Sequence, residues 1–289
     1  MKVLYIGYYR DGTGWANAAQ GYILSLDAAG VDVVPRFVKL NDRDASIPTR
    51  IKQLEGRSHK NCDIVIQHLL PHHMEFNGEF EKNIALYVTE TDHCKNTFWP
   101  ERINLMDEAW VPNSYMAERS SINSYIETKH KVVPHAACME KYQKEYEPLK
   151  IPETEGKFVF YYIGEINKRK NISDLLKAFH TEFEKSEDVS IVLKAHSSQG
   201  GRSYSERQLR ELSSAVKIGL KLYPRESDYN EEVFICDYLS EEDIMRLHSS
   251  FDCFVSATYG EAWGIPIFDA MAMGKTPKCT NCFGLKDYL

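Results

Sequence analysis

The chain twice runs an apolar, strand-like segment into a glycine and then into a helical pattern. Residues 2–7 end at Gly7 and pass through a loop containing Gly12 and Gly14 to a helix-like stretch at 16–30. Residues 158–164 end at Gly164 and pass through a polar, basic loop to a helix whose Ile172, Leu175, Leu176, Ala178 and Phe179 recur with a period near 3.6. Strand, glycine loop and helix in that order open a Rossmann-like unit, so the pattern predicts an α/β fold with two Rossmann-like domains. At 289 residues the chain is long enough for each domain to bury its own core. A shift toward Lys, Glu and Tyr, with Pro148, Pro152 and Gly156, marks a linker at 139–157 between an N-terminal domain at 1–138 and a C-terminal domain at 158–289.

Composition narrows the function. Hydrophobic residues make up 43% and charged residues 27%, which is ordinary globular material. A net charge of -7 argues against nucleic acid as a partner, while leaving room for a local basic patch. There is no run of 18 apolar residues, and Met1 and Lys2 lead straight into a strand, so the expected location is cytoplasmic, at most with peripheral membrane contact. The seven cysteines are scattered, as reduced thiols are; only Cys279 and Cys282 are closely spaced, without the second pair that a zinc site wants.

Within the first domain, strand patterns at 31–38, 62–68, 83–92 and 131–134 follow the opening unit. Gly12 and Gly14 allow close backbone approach to a ligand, though their spacing is not the dinucleotide fingerprint. The strand at 62–68 delivers His68 at its C-terminal end, where α/β sheets place functional groups. His72 and His73 follow, without a carboxylate or cysteine in metal-ligand spacing, so no metal site is expected. Asp42 and Asp44 form an Asp-x-Asp pattern that reads as a solvated loop, and Thr89 to Asp92 reads either as a presenting strand end carrying Glu90 or as a helix N-cap. In the second domain strands are expected at 189–194, 233–238 and 253–258. The helix at 205–222 carries mixed charge suited to solvent, or to an anionic lipid surface, and Ser240 opens a capping-box-like helix.

The densest chemistry lies at 259–274. Glu261 precedes Gly264 and Pro266, and an apolar helix then runs through Ile267, Phe268, Ala270, Met271 and Ala272 to Gly274, with Asp269 on it. The amides of Gly264 and Ile265 sit where a helix N-terminus offers donors to a phosphate, and Pro266 fits the first turn. This stretch resembles the motif of retaining glycosyltransferases of the GT-B fold, family 4, in the variant Glu-Gly-Trp-Gly-Leu-Pro-x-x-Glu-Ala-Met-Ala-x-Gly. Glu261, Trp263, Gly264, Pro266, Ala270, Met271, Ala272 and Gly274 fall in register; Ala262 replaces a glycine and Asp269 the second glutamate. The resemblance extends to Glu90 with Thr91 and Asp92, to the stretch from Asp107 to Ser114, to His135, and to Lys170, which matches the lysine of a Gly-Arg-x-x-x-x-Lys pattern. Glu165 stands where that pattern has arginine.

The resemblance implies two Rossmann-like domains facing across a cleft. It implies transfer of a hexosyl group, with retention, from a nucleotide-diphosphate sugar to a glycan, lipid or small-molecule acceptor, with no cofactor and no metal. By that resemblance Glu261 contacts the donor sugar, Asp269 the ribose, and Lys170 the departing diphosphate. Lys168 or Arg169 substitutes for the missing arginine, or phosphate binding is weaker. Glu90 orients sugar or acceptor, Gly12 and Gly14 join the donor-binding set from across the cleft, and Trp15 and His68 lie on the acceptor or sugar side. Relatives continue beyond the equivalent of Leu289, so the chain reads as a short variant or a fragment. A non-catalytic nucleotide-sugar-binding or scaffold protein of the same fold is the alternative, favoured by Glu165; for an epimerase or a phosphorylase the sequence shows neither a pyridoxal-site lysine signature nor an acid pair.

Overall fold

Both sheets are parallel throughout, as expected when strands and helices alternate along a chain. The structure, a computed structural model, describes residues 1–42 and 44–289, so Arg43, at the centre of the Asp-x-Asp pattern, lies outside the described residues. Two units are present. The first comprises Met1–Cys138 with Glu261–Trp263 and Phe283–Leu289; the second comprises Met139–Gly260 with Gly264–Cys282. Residues 139–157 thus belong to the second unit, and two short C-terminal stretches belong to the first.

The first unit runs β1 (Lys2–Gly7), α1 (Gly14–Ala28), β2 (Asp32–Phe37), α2 (Thr49–Glu55), β3 (Ile64–His68), β4 (Lys82–Leu86), α3 (Trp99–Asn104), β5 (Glu108–Val111), α4 (Ser121–Asn123) and β6 (His130–Val132). The strands lie in the order β2-β1-β3-β4-β5-β6. One apolar cluster joins Val3, Tyr5, Ile66 and Ile84 to Ala19 and Ile23 of α1 and Ile51 and Leu54 of α2; a second joins Ala85, Tyr87 and Ala109 to Ile103, Met106 and Met116. β4 stops at Leu86, short of the expected 83–92. Beyond it the Thr89 and Thr91 hydroxyls lie 3.0 Å apart, and the Thr91 amide reaches Thr89 Oγ1 at 3.4 Å. Hydroxyl-to-backbone bonds of this kind turn the chain. No helix starts there, which removes the N-cap reading of 89–92; α3 begins at Trp99.

The second unit runs α5 (Glu140–Gln143), β7 (Phe158–Glu165), α6 (Ile172–Glu182), β8 (Val189–His196), α7 (Arg202–Leu220), β9 (Glu232–Ile235), α8 (Glu241–Ser250), β10 (Cys253–Ser256), α9 (Ile265–Ala272) and β11 (Lys278–Cys279), in the order β11-β10-β7-β8-β9. Leu176 and Phe179 of α6 and Leu209 and Val216 of α7 pack on Tyr162, Ile191, Leu193 and Ala195. The exposed side of α7 carries Arg210–Glu206 and Arg207–Glu211 pairs at 2.7 and 3.8 Å. Ser240 caps α8, its Oγ accepting the Asp243 amide at 3.1 Å. Among the described residues no disulfide joins the cysteines and no helix is long and apolar enough to cross a membrane.

Candidate functional site

In an open parallel sheet the order reverses at one place, where consecutive connections leave to opposite sides and open a crevice beyond the strand ends. In the second unit that place lies between β7 and β10. The loops that follow these two strands hold Lys168 to Lys170 and the run-up to Glu261.

Hydrogen bonds stitch the two loops together. Arg169 Nη1 donates to the Gly260 carbonyl at 2.6 Å, and the Arg169 carbonyl accepts the Tyr259 amide at 2.8 Å. Asn171, left-handed at φ 53, donates its Nδ2 to the Ala257 carbonyl at 3.1 Å. Lys170 is anchored through its amide to Asn167 Oδ1 at 3.0 Å, while the Lys168 side chain is exposed. Asn167 also donates Nδ2 to Glu165 Oε2 at 3.0 Å. The basic loop is therefore held against the segment that ends one residue before Glu261.

α9 begins on Gly264, whose φ of 74 suits a residue without Cβ. Asp269 is 4% exposed on this helix. Its Oδ1 accepts Tyr142 Oη at 2.5 Å and lies 3.2 Å from Lys141 Nζ. Burial raises the Asp269 pKa, with Lys141 and Tyr142 pulling the other way. Tyr142 and Lys141 lie on α5, inside the stretch read as a linker; an alternating Lys and Tyr composition gave no period by which to find them.

In the first unit the order reverses between β1 and β3. The loop after β1 carries Gly12, at φ 68, and Gly14, the first residue of α1. Its organiser is Asp11, 2% exposed, whose Oδ1 accepts the Thr13 amide at 3.0 Å and Thr13 Oγ1 at 2.6 Å; Thr13 in turn caps α1. Asp11 went unnoticed beside the glycines, although an aspartate two residues ahead of a threonine is a recognisable Asx turn. Trp15 and His68 come together, with ring centroids 5.0 Å apart. His68 is enclosed, its Nδ1 within 2.7 Å of Tyr5 Oη, and burial, then His135, lowers its pKa to about 3. His72 and His73 bond elsewhere, to Trp99 Nε1 at 3.2 Å and Tyr8 Oη at 2.5 Å. Among the described residues no group of three His, Cys, Asp or Glu is placed to hold a metal ion. Glu90 is half-buried on the Thr89–Thr91 turn.

Glu261–Trp263 is grouped with this unit, and all three of its carbonyls are occupied there. Glu261 accepts the Gly284 amide at 3.2 Å, Ala262 accepts Asn113 Nδ2 at 2.5 Å, and Trp263 accepts Tyr288 Oη. A Cβ on Gly284 would run into the Ala262 carbonyl, so glycine is required there for close approach. The Glu261 side chain is buried and His135 lies against Trp263, ring centroids 5.5 Å apart.

Residues 143–289, just over half of the chain, match the family model described as glycosyl transferases group 1. The chain belongs to this family. Solved structures similar to this group 1 chain share its fold at low identity. A structure described as trehalose-6-phosphate from E. coli bound with UDP-2-fluoro glucose superposes with a TM-score of 0.69 at 9% identity, covering 99% of this chain and 86% of that one. Sucrose-phosphate synthase from Thermosynechococcus elongatus gives 0.65 at 14%, covering 99% and 83%. HepE of Anabaena in complex with UDP gives 0.63 at 11%, covering 100% and 83%. The fold is thus the α/β, parallel-sheet fold of GT-B glycosyltransferases. A sequence comparison with curated proteins gave no significant match.

Proposed function

We propose that this group 1 glycosyltransferase is a retaining enzyme of family 4 that moves a hexosyl group from a nucleoside diphosphate sugar to a hydroxyl of a glycan, lipid or small molecule, without a metal ion. The observation that carries the reading is the stitched pair of loops at the switch point of the second unit. A basic loop ending at Lys170 is bonded to the segment that leads into Glu261 and the glycine start of α9.

In the proposed reaction the bond from the anomeric carbon to the diphosphate breaks as a bond to the acceptor oxygen forms on the same face. The acceptor proton passes to the leaving phosphate, so no protein nucleophile is needed. Lys170 and the Gly264 and Ile265 amides stabilise charge on the departing diphosphate, where pre-set donors act most strongly. Glu261 binds sugar hydroxyls and Asp269 receives the ribose on Oδ2, since Tyr142 and Lys141 take Oδ1. Glu90 orients the sugar or acceptor, and the loop from Gly12 to Trp15, with His68 behind it, supports the acceptor side.

The test is a thermal-shift panel of UDP-, GDP-, ADP- and dTDP-sugars, with and without EDTA, on wild type and Lys170→Ala. UDP is the first base to try because structures of this fold hold UDP or UDP-2-fluoro glucose. Stabilisation that survives EDTA and disappears in Lys170→Ala, with sugar released from the donor by wild type and not by Glu261→Ala, supports the reading. No stabilisation by any donor sinks it. A non-catalytic sugar-nucleotide-binding protein is the second reading, favoured by Glu165 beside the basic loop; it predicts stabilisation without turnover.

A further inference from the structure

Lys194 is a buried cation that no function described above uses. It lies on β8, only 7% exposed, two residues before the C-terminal end of the strand. Among the described residues no hydrogen bond or ion pair engages its ammonium group. Its electrostatic neighbours are the Cys236 thiol and the Asp237 carboxylate, just past β9, and that carboxylate is already bonded to Arg202 at 2.7 Å. Burial pushes the Lys194 pKa down. Burying an unpaired cation opposes folding unless an anion joins it.

Lys194 pairs with Ile163 of β7, and His196 pairs with Glu165. Paired residues of a parallel sheet share a face, so Lys194 and Glu165 lie on the same side of adjacent strands, one step apart along the chain direction. Glu165 is the position where the resembling motif carries arginine. The loop cations offered to replace it are poorly suited: Lys168 is exposed, and the Arg169 guanidinium is bonded to the Gly260 carbonyl. We infer that Lys194 is a donor-binding residue that supplies, from the neighbouring strand, the cation which Glu165 displaces, and that its ligand is the diphosphate of the sugar nucleotide. This rests on the donor reading proposed above. The bound diphosphate then offsets the electrostatic cost of the partly desolvated ammonium, so the site is less stable empty than filled.

Calorimetric titration of wild type, Lys194→Met and Lys194→Arg with UDP, UMP, uridine and inorganic pyrophosphate, repeated with GDP and ADP and their series, tests the inference alongside melting temperatures without ligand. Lys194→Met is expected to melt at or above wild type when empty, to bind the nucleoside diphosphate and pyrophosphate about 10- to 100-fold more weakly, and to bind the nucleoside unchanged. Lys194→Arg is expected to stay within a few-fold of wild type. Equal diphosphate affinity in wild type and Lys194→Met, or equal weakening toward diphosphate and nucleoside, overturns the role of Lys194 while leaving the donor reading intact. Failure of wild type to bind any nucleoside diphosphate overturns both.

Discussion

Tyr142 donates its hydroxyl to Asp269 Oδ1 at 2.5 Å across 127 residues of chain. The bond ties α5 to α9 and fixes a carboxylate that is almost fully enclosed. Lys141 lies on the same oxygen, its Nζ 3.2 Å away. Tyr142→Phe keeps the ring contact with Phe268 and deletes only the hydroxyl. Hydrogen bonds to a charged group contribute about 1.5–3 kcal/mol, and urea unfolding of the variant should lose about that much. An unchanged midpoint would mean that the carboxylate is satisfied without Tyr142.

Asn113 is fully buried and uses both ends of its amide, Nδ2 to the Ala262 carbonyl and Oδ1 from the Met116 amide at 2.8 Å. Asn113→Ala strands two buried backbone groups, a loss of about 2–4 kcal/mol. Gly284→Ala attacks the same joint from the other side by forcing a methyl onto the Ala262 carbonyl. Both variants should lower the melting temperature, and their effects should be non-additive in a double-mutant cycle because they share one partner. Simple additivity would show that the two contacts are independent.

Acid should weaken both units. His68 in the first and His248 in the second are held neutral by burial to a pKa of about 3, with His135 adding to the effect at His68 and Lys141 and Lys275 at His248. An unfolded histidine titrates near 6.5, so between about pH 6.5 and 3 the unfolded chain binds the extra protons and stability falls as pH falls. The contribution is complete above about pH 6.5. From there to pH 5 each residue should account for about 2 kcal/mol. Melting curves at pH 7 and 5, compared with His248→Gln, check this; the variant should show a shallower acid dependence.

The neighbouring cations at 168 and 169 should behave differently. Lys168 is exposed, and Lys168→Ala should leave donor binding within about twofold, as screened surface charges do. Arg169→Met removes the bond to the Gly260 carbonyl, loosening the segment ahead of Glu261, and should cost about tenfold in kcat/KM. Equal losses in the two variants would point to simple charge attraction in place of loop positioning.

The parts legible in the sequence were those written in contiguous residues. The two strand–glycine–helix openings, the Ser240 cap, the glycine start of α9 and the loops carrying Lys170 and Glu261 all follow from local period and turn chemistry, which neighbouring residues encode by themselves. They also determined the α/β class, because such alternation has parallel sheets as its outcome. The tertiary structure alone decided what those loops touch. Sheet order brought the loops after β7 and β10 together, docking of α5 gave Asp269 its partners, and Asn113 reached Ala262 across 149 residues. It also drew Phe283–Leu289 back to the first unit and enclosed Lys194 at 7% exposure. Long-range pairing of this kind is set by how whole elements pack, and no local pattern records it.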